Sequence, residues 1–207
     1  INFAKNYAAN QIILVEGNMD VISLHQAGFE NAVAPLGTAF TEEQVNLLAR
    51  YTKEIVLTMD ADAAGQKAIR RASSMLENTG LSVRVVLIPD GKDPDEFIKK
   101  NGPDRFKALL EGAVSDIEYK LLMAVNGIDI HSDDGRLRYL SKAAEIIAAD
   151  EDVMTRDIYI GRLCEKYGVS RTALAAKVDE LRKKNNRYKQ KKEINDIIKL
   201  DVFITGG

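Results

Sequence analysis

Cysteine is almost missing from the chain: Cys164 is the single one in 207 residues. That excludes an internal disulfide framework and any multi-cysteine zinc site, and it is compatible with a reducing cytosol. Long apolar runs are missing too. Stretches such as "IILV" and "VVLI" fall far short of the roughly 18 residues that a membrane-spanning helix needs, and no signal peptide is visible. An excess of charge of either sign is absent. The formal net charge is -2, so the average surface advertises neither nucleic acid nor membrane, and any such partner has to be met by a local patch. Neither half carries an internal repeat. What is present is a globular composition, 45% hydrophobic over a length that fits one domain or two small ones. The chain starts at Ile1 rather than Met and stops soon after the apolar "DVFITGG"; an excised piece with flanking domains missing is the expectation.

The first hundred residues or so alternate strand and helix signals. "QIILV" is a continuous β-rich run, and "DVISLHQAGF" spaces Val21, Leu24 and Phe29 as a helix does. A short strand "NAVAPL" leads into "GT" and then "TEEQVNLLARY", where Thr41 is placed to cap a helix with Val45, Leu48 and Tyr51 on one face. "EIVLTM" is the next strand. It runs into "DADAAG", an Ala-rich helix ending at Gly80, and the strand "SVRVVLIP". Continuous apolar strands separated by helices imply a mostly parallel sheet covered on both faces. Beyond "DGKDPDEFIKKNG" only helices are expected: "PDRFKALLEG", "SDIEYKLLMAV", then segments near 134–149, 155–167 and 170–184. Their apolar stripes read as Leu137, Leu140, Ala144 and Ile147, and as Leu174, Val178 and Leu181. The expected organisation is an N-terminal remnant of a preceding subdomain over 1–9, an α/β domain over 10–103, a helical bundle over 104–190 and a tail of unknown role over 191–207.

Acidic residues recur where strands end. Glu16 follows "QIILV", Asp60 and Asp62 follow "EIVLTM", and Asp93, Asp95 and Glu96 follow "VRVVLI" a few residues downstream. Ligands of parallel α/β sheets bind beyond the carboxyl ends of the strands, so these strands deliver acids to one rim. Converging carboxylates repel and raise one another's pKa unless cations neutralise them, which predicts bound metal. With no His or Cys among them the donors are all oxygen. Mg²⁺ is then the expected ion, Mn²⁺ a plausible substitute, and zinc is disfavoured. Gly17 would let the turn pass close to a ligand, and Asp20 opens the following helix near its positive end. Gly37 and Thr38 in "LGTAF" are candidates for phosphate contact, as are Gly17 and Lys92. Such a rim favours nucleotidyl transfer or phosphodiester cleavage. Taken singly, "EG", "DAD" and "DGKDPD" are ordinary turns and solvated loops; their placement after successive strands carries the reading.

"VEGNMD", "LGTA", "DADAAGQKA" and "KDPDEF" resemble the Toprim domain of bacterial DnaG-type primases. Glu followed later by Asp-x-Asp is common to Toprim domains of topoisomerases, RecR proteins and OLD-type nucleases, and "EG-x-MD" with "KDPDE" narrows the resemblance to primases. It implies a Toprim α/β fold followed by a small all-α bundle, in the catalytic core of a DNA-dependent RNA polymerase. That enzyme makes short RNA primers from NTPs on single-stranded DNA. By position, Glu16 would stand nearest the reacting phosphate, Asp60, Asp62, Asp93 and Asp95 would hold the divalent ions, and Asp20 would be an outer ligand. Asn18 departs from the family, which more often has an aromatic residue there. The resemblance further implies a bacterial cytoplasmic, monomeric enzyme with no membrane partner, and a replicative helicase contacted through a domain missing from this chain. A zinc domain and a basic N-terminal lobe are also expected to be missing, so the piece alone should polymerise poorly.

Other readings stand beside this one. Arg182, Lys183, Lys184, Arg187, Lys189, Lys191 and Lys192 form a basic run that could touch template, although a solvated helix end explains it better. "DIYIGRLCEKYGVSRTALAAKVDELRKK" resembles a helix-turn-helix with Gly168 in the turn and Ser170 as a cap. A DNA-binding module without catalysis is therefore an alternative, and bundle packing explains the same pattern. A Toprim nuclease or topoisomerase fragment is another. None of the seven tyrosines lies in a recognisable nucleophile context. His25 and His131 read as surface or packing residues, and Cys164 as a buried one.

Overall fold

The computed structural model describes residues 3–8, 10–35, 40–60, 62–77, 79–89 and 93–205, with side chains described to 191 and at 194. The chain divides into two compact units, 1–119 and 120–207.

The first unit opens with a 3-10 turn (Ala4–Asn6) and continues as β1 (Ile12–Leu14), α1 (Asn18–Gln26), β2 (Ala32–Val33), α2 (Glu42–Leu48), β3 (Glu54–Leu57), α3 (Ala63–Leu76), β4 (Ser82–Val85), α4 (Pro94–Asn101), α5 (Pro103–Glu111) and β5 (Val114–Ser115). The strand order is β2-β1-β3-β4-β5. β1 pairs in parallel with β2 and β3, and β3 with β4, while β5 runs antiparallel to β4. The expected mostly parallel sheet is present. β5 was not expected, since the reading beyond residue 103 allowed only helices. Two residues carry no periodicity, and their position is set instead by Arg84, whose guanidinium donates to the carbonyls of Ala113 and Glu111.

Alternation places Ile13 and Val15 on one face of β1, in a core with Leu24, Val56, Val86, Ile88, Phe97, Phe106 and Leu110. Ile12 and Leu14 face the other way and are equally buried, as are Ile55 and Leu57. Both faces are therefore covered, which is why these strands read as continuous apolar runs. Phe106 from α5 closes the first core, fully buried, with its ring 5.0 Å from that of Phe29 and 6.3 Å from that of Phe97. Phe106→Ala is expected to cost about 3–5 kcal/mol of folding free energy, read from the urea unfolding midpoint, because the surrounding rings cannot collapse into the space. Thr41 caps α2 as expected, in a reciprocal pair with Gln44.

α6 (Asp116–Ala124) contains the division between the units. The second unit then holds α7 (Asp133–Ala149), α8 (Val153–Tyr167) and α9 (Arg171–Thr205). α7 buries Tyr139, Ala143, Ala144, Ile147 and Ala148, whereas Leu137 is 65% exposed. Ala144 and Ile147 of the expected stripe are buried, while its start is corrected: the inward face passes through Tyr139 rather than Leu137, and the Tyr139 ring packs 5.1 Å from that of Tyr167. α9 buries Leu174 and Val178. It runs on as 35 residues, far beyond the expected end near 184, so the main chain of 191–205 continues a helix. Arg187, Lys189 and Lys191 are exposed on it, and Lys189 pairs with Glu151 at 3.5 Å. Gly168 ends α8 in the left-handed conformation (φ 65°), and Ser170 Oγ accepts from the Ala173 N–H. The turn of the helix-turn-helix reading is real. The apolar face of its second helix, however, is spent on α7 and α8. Among the described residues no helix is long and apolar enough to cross a membrane.

Candidate active site

The chain steps from β1 outward to β2 on one side, then returns to the other side of β1 as β3. The reversal opens a crevice beyond the carboxyl ends of β1 and β3, the place where open α/β sheets bind ligands. Glu16 lies two residues beyond β1, and Asp60 three residues beyond β3. Both acids therefore stand at the switch point. One oxygen of each, Glu16 Oε1 and Asp60 Oδ1, is buried without a hydrogen-bond partner. Orphaned carboxylate oxygens are costly unless something neutralises them.

Charge repulsion shows that the acids share one rim. The Glu16 carboxyl is held above its ordinary pKa, first by burial and then by Asp60, Asp62 and Asp20. That of Asp60 is raised by burial and then by Asp20, Asp93 and Asp62. Glu16, Asp20, Asp60, Asp62 and Asp93 thus stand near enough for their charges to act on one another. They are not packed into a ready-made cage: among the described residues no three Asp, Glu, His or Cys side chains stand close enough to hold a metal ion.

The other acids each engage at least one oxygen with the framework. Asp20, 7% exposed, takes the Gly17 N–H on Oδ2 at 3.1 Å and the Asp95 N–H on Oδ1 at 3.3 Å. It ties the start of α1 to the start of α4. Burial outweighs those hydrogen bonds, and with repulsion from Asp93 and Asp95 its pKa is also raised. Asp62 caps α3 by accepting the Gly65 N–H at 2.8 Å, and Asp93 caps α4 by accepting the Glu96 N–H at 2.6 Å. Asp95 accepts from the Ser23 hydroxyl and from Lys99 Nζ, the latter at 2.7 Å. Lys99 and then Ser23 hold its carboxyl below the usual range.

Gly17 stands at the start of α1. Its backbone is extended (φ -115°), open to any residue, and it serves as the N-cap of α1. The glycine that the rim requires is Gly65, which motif reading passed over. A Cβ there would lie 2.0 Å from the Asp60 carbonyl oxygen. The spacing "DADAAG" was the available signal, together with a helix whose first turn must pass against the loop. Lys99 and Ser23 were passed over as well; Lys99 stands four residues after Asp95, one helical turn on. Gly37, Thr38 and Lys92 lie outside the described residues.

An all-oxygen set with two uncompensated carboxylate oxygens suits a hard divalent cation. Glu16 and Asp60 have the free oxygens for it, with Asp62 and Asp93 adjacent.

A sheet of this order with acids after β1 and β3 is of the Toprim class, and the family model described as Toprim-like matches residues 13–98. A second model, described as the DnaB-helicase binding domain of primase, matches residues 117–172. A DNA primase of Clostridium acetobutylicum is 41% identical over 198 residues, covering 94% of this chain and 33% of that protein. A solved DnaG primase catalytic domain bound to ssDNA is 31% identical with a TM-score of 0.66, over 82% of this chain and 56% of that one. The RNA polymerase domain of Mycobacterium tuberculosis primase, in complex with a double-stranded DNA oligomer with a 6-nucleotide overhang, is 29% identical. Its TM-score is 0.70, over 82% of this chain and 56% of that one. The chain belongs to the bacterial DnaG-type primase family and spans about a third of the length of the curated relatives it matches. The second match differs from expectation, which put the helicase contact in a domain absent from the chain.

Proposed function

We propose that this chain supplies the catalytic Toprim domain and following helices of a primase, which joins NTPs into short RNA primers on a single-stranded DNA template. The observation that carries the reading is the pair of uncompensated oxygens, Glu16 Oε1 and Asp60 Oδ1, at the switch point of the sheet. Similarity to DNA primases and to a DnaG domain bound to ssDNA supports the template and the reaction class. The match described as helicase-binding supports a DnaB-type helicase as a protein partner of the whole enzyme.

Mg²⁺, with Mn²⁺ as its substitute, is the cofactor in this reading, held by Glu16, Asp60, Asp62 and Asp93. Such ions, when bound, neutralise the triphosphate and stabilise the charge that develops during nucleotidyl transfer. The chain's own part is electrostatic. Glu16 and Asp60 present negative charge into a crevice, Asp62 and Asp93 face it from two helix N-termini, and Asp20 holds those loops in register. Gly17, Gly37, Thr38 and Lys92 are the phosphate contacts in this reading.

Titration with Mn²⁺, followed through the electron paramagnetic resonance of the free ion, tests the site. Wild-type protein is expected to bind, and the Asp60→Ala, Asp62→Ala double variant to bind roughly 100-fold more weakly, because two of the negative donors are gone. Equal affinity in the two proteins would reject the metal reading. Primer synthesis and phosphodiester cleavage use the same ions, so the whole enzyme is assayed for both; cleavage without synthesis would reject the primase reading.

A further inference from the structure

Asp95 on the rim is already compensated by a cation. Its backbone N–H donates to Asp20, one carboxylate oxygen accepts from Ser23, and the other meets Lys99 Nζ at 2.7 Å. Among the described residues none of Glu16, Asp20, Asp60, Asp62 and Asp93 makes an ion pair. Lys99 reaches Asp95 because the two stand one turn apart on α4, and its side chain is 63% exposed while that of Asp95 is 20% exposed. The ammonium is thus a solvent-side arm folded onto a shielded carboxylate.

We propose that Lys99 is a positioning residue that acts as an internal counter-charge, occupying Asp95 Oδ2 and exchanging with a divalent cation for it. This deepens the metal reading above and rests on it. An exposed ion pair contributes little to folding, so Lys99 can leave Asp95 at small cost. Ser23 and the Asp20 clamp keep the carboxylate in place when it does. A positive charge one residue's reach from a cluster of acids lowers the local negative potential, so Lys99 sets how strongly the rim draws divalent ions.

The sign of the effect separates this role from plain support. Lys99→Met is expected to tighten Mn²⁺ binding roughly 5- to 10-fold, since a competing cation is removed and an oxygen is released. Lys99→Arg restores wild-type affinity. In an Asp95→Asn background, Lys99→Met changes affinity by less than about 2-fold, because the carboxylate they contend for is absent. Folding is checked by circular dichroism, and thermal stability of Lys99→Met is expected to match wild type within about 2 °C. Weaker or unchanged Mn²⁺ binding in folded Lys99→Met, with wild-type binding still dependent on Asp60 and Asp62, overturns the role of Lys99 alone. Wild-type protein that binds no Mn²⁺ overturns both.

Discussion

Replacing Glu16 by glutamine and Asp60 by asparagine together is expected to raise the thermal unfolding midpoint of the metal-free chain at pH 7 by about 2–4 °C, and to lower primer synthesis by the whole enzyme roughly 10³-fold. The two effects have one cause. Both carboxyls have folded-state pKa values above their ordinary ones, burial being the first reason and the neighbouring acids the second. The sign of the pH dependence follows. A raised folded-state pKa means that the folded chain holds the proton more tightly than the unfolded one. The associated stability is fully present below the ordinary carboxylate pKa and is lost as pH rises through the raised value. In their charged form both groups are set against folding, and neutral isosteres remove that opposition. Wild-type protein should therefore gain stability on acidification from neutral pH toward the carboxylate range, and the double variant should gain less. Added Mn²⁺ should raise the wild-type midpoint by mass action and leave the variant unmoved. Calorimetry from pH 7 to pH 5, with and without Mn²⁺, reads all of this. A double variant less stable than wild type at pH 7 would show that the two carboxylates support the fold rather than strain it.

The second large effect is expected at Gly65. Alanine there would place Cβ 2.0 Å from the Asp60 carbonyl oxygen and 2.8 Å from the carbonyl carbon, both main chain. No rotamer change relieves such a clash, so the β3–α3 loop or the first turn of α3 must move. The expected loss is about 3 kcal/mol or more, toward the upper end for overpacking, with Mn²⁺ affinity falling in parallel because Asp60 and Asp62 both belong to that loop. Gly17→Ala is the control. Its Cβ would meet Asp20 Oδ2 at 3.2 Å, a side-chain atom, and its backbone is already extended. The cost there should stay below about 1 kcal/mol. Urea denaturation compares the two, and equal costs would mean that the tight packing of α3 against Asp60 is not what the glycine serves.

Asp60 and Asp62 illustrate why two acids of one motif are not equivalent. The first meets the crevice and the second meets the N–H groups of the helix that follows. Asp93 and Asp95 divide in the same manner, one as a cap and one as the partner of Lys99 and Ser23.

From the sequence alone came the alternation of apolar runs with helical stripes, the parallel sheet, the helical second half and the acids at strand ends. All of these depend on local pattern: side-chain period, capping residues and the chemistry of short motifs. Other features needed the folded chain. The pairing of β5, the inward face of α7 and the contact of Asp95 with Ser23 are set by residues far apart in the chain that meet only when the elements pack, while the length of α9, the pair of Asp95 with Lys99 and the clearance at Gly65 are local features that motif reading passed over. Motif reading put six carboxylates on one rim. Tertiary structure left buried oxygens without partners on Glu16 and Asp60 and engaged Asp20, Asp62, Asp93 and Asp95 elsewhere. The caps at Asp62 and Asp93 and the pair of Asp95 with Lys99 are three- and four-residue contacts that spacing along the chain encodes, whereas burial of the unpaired Glu16 and Asp60 oxygens comes from the packing of separate strands and helices.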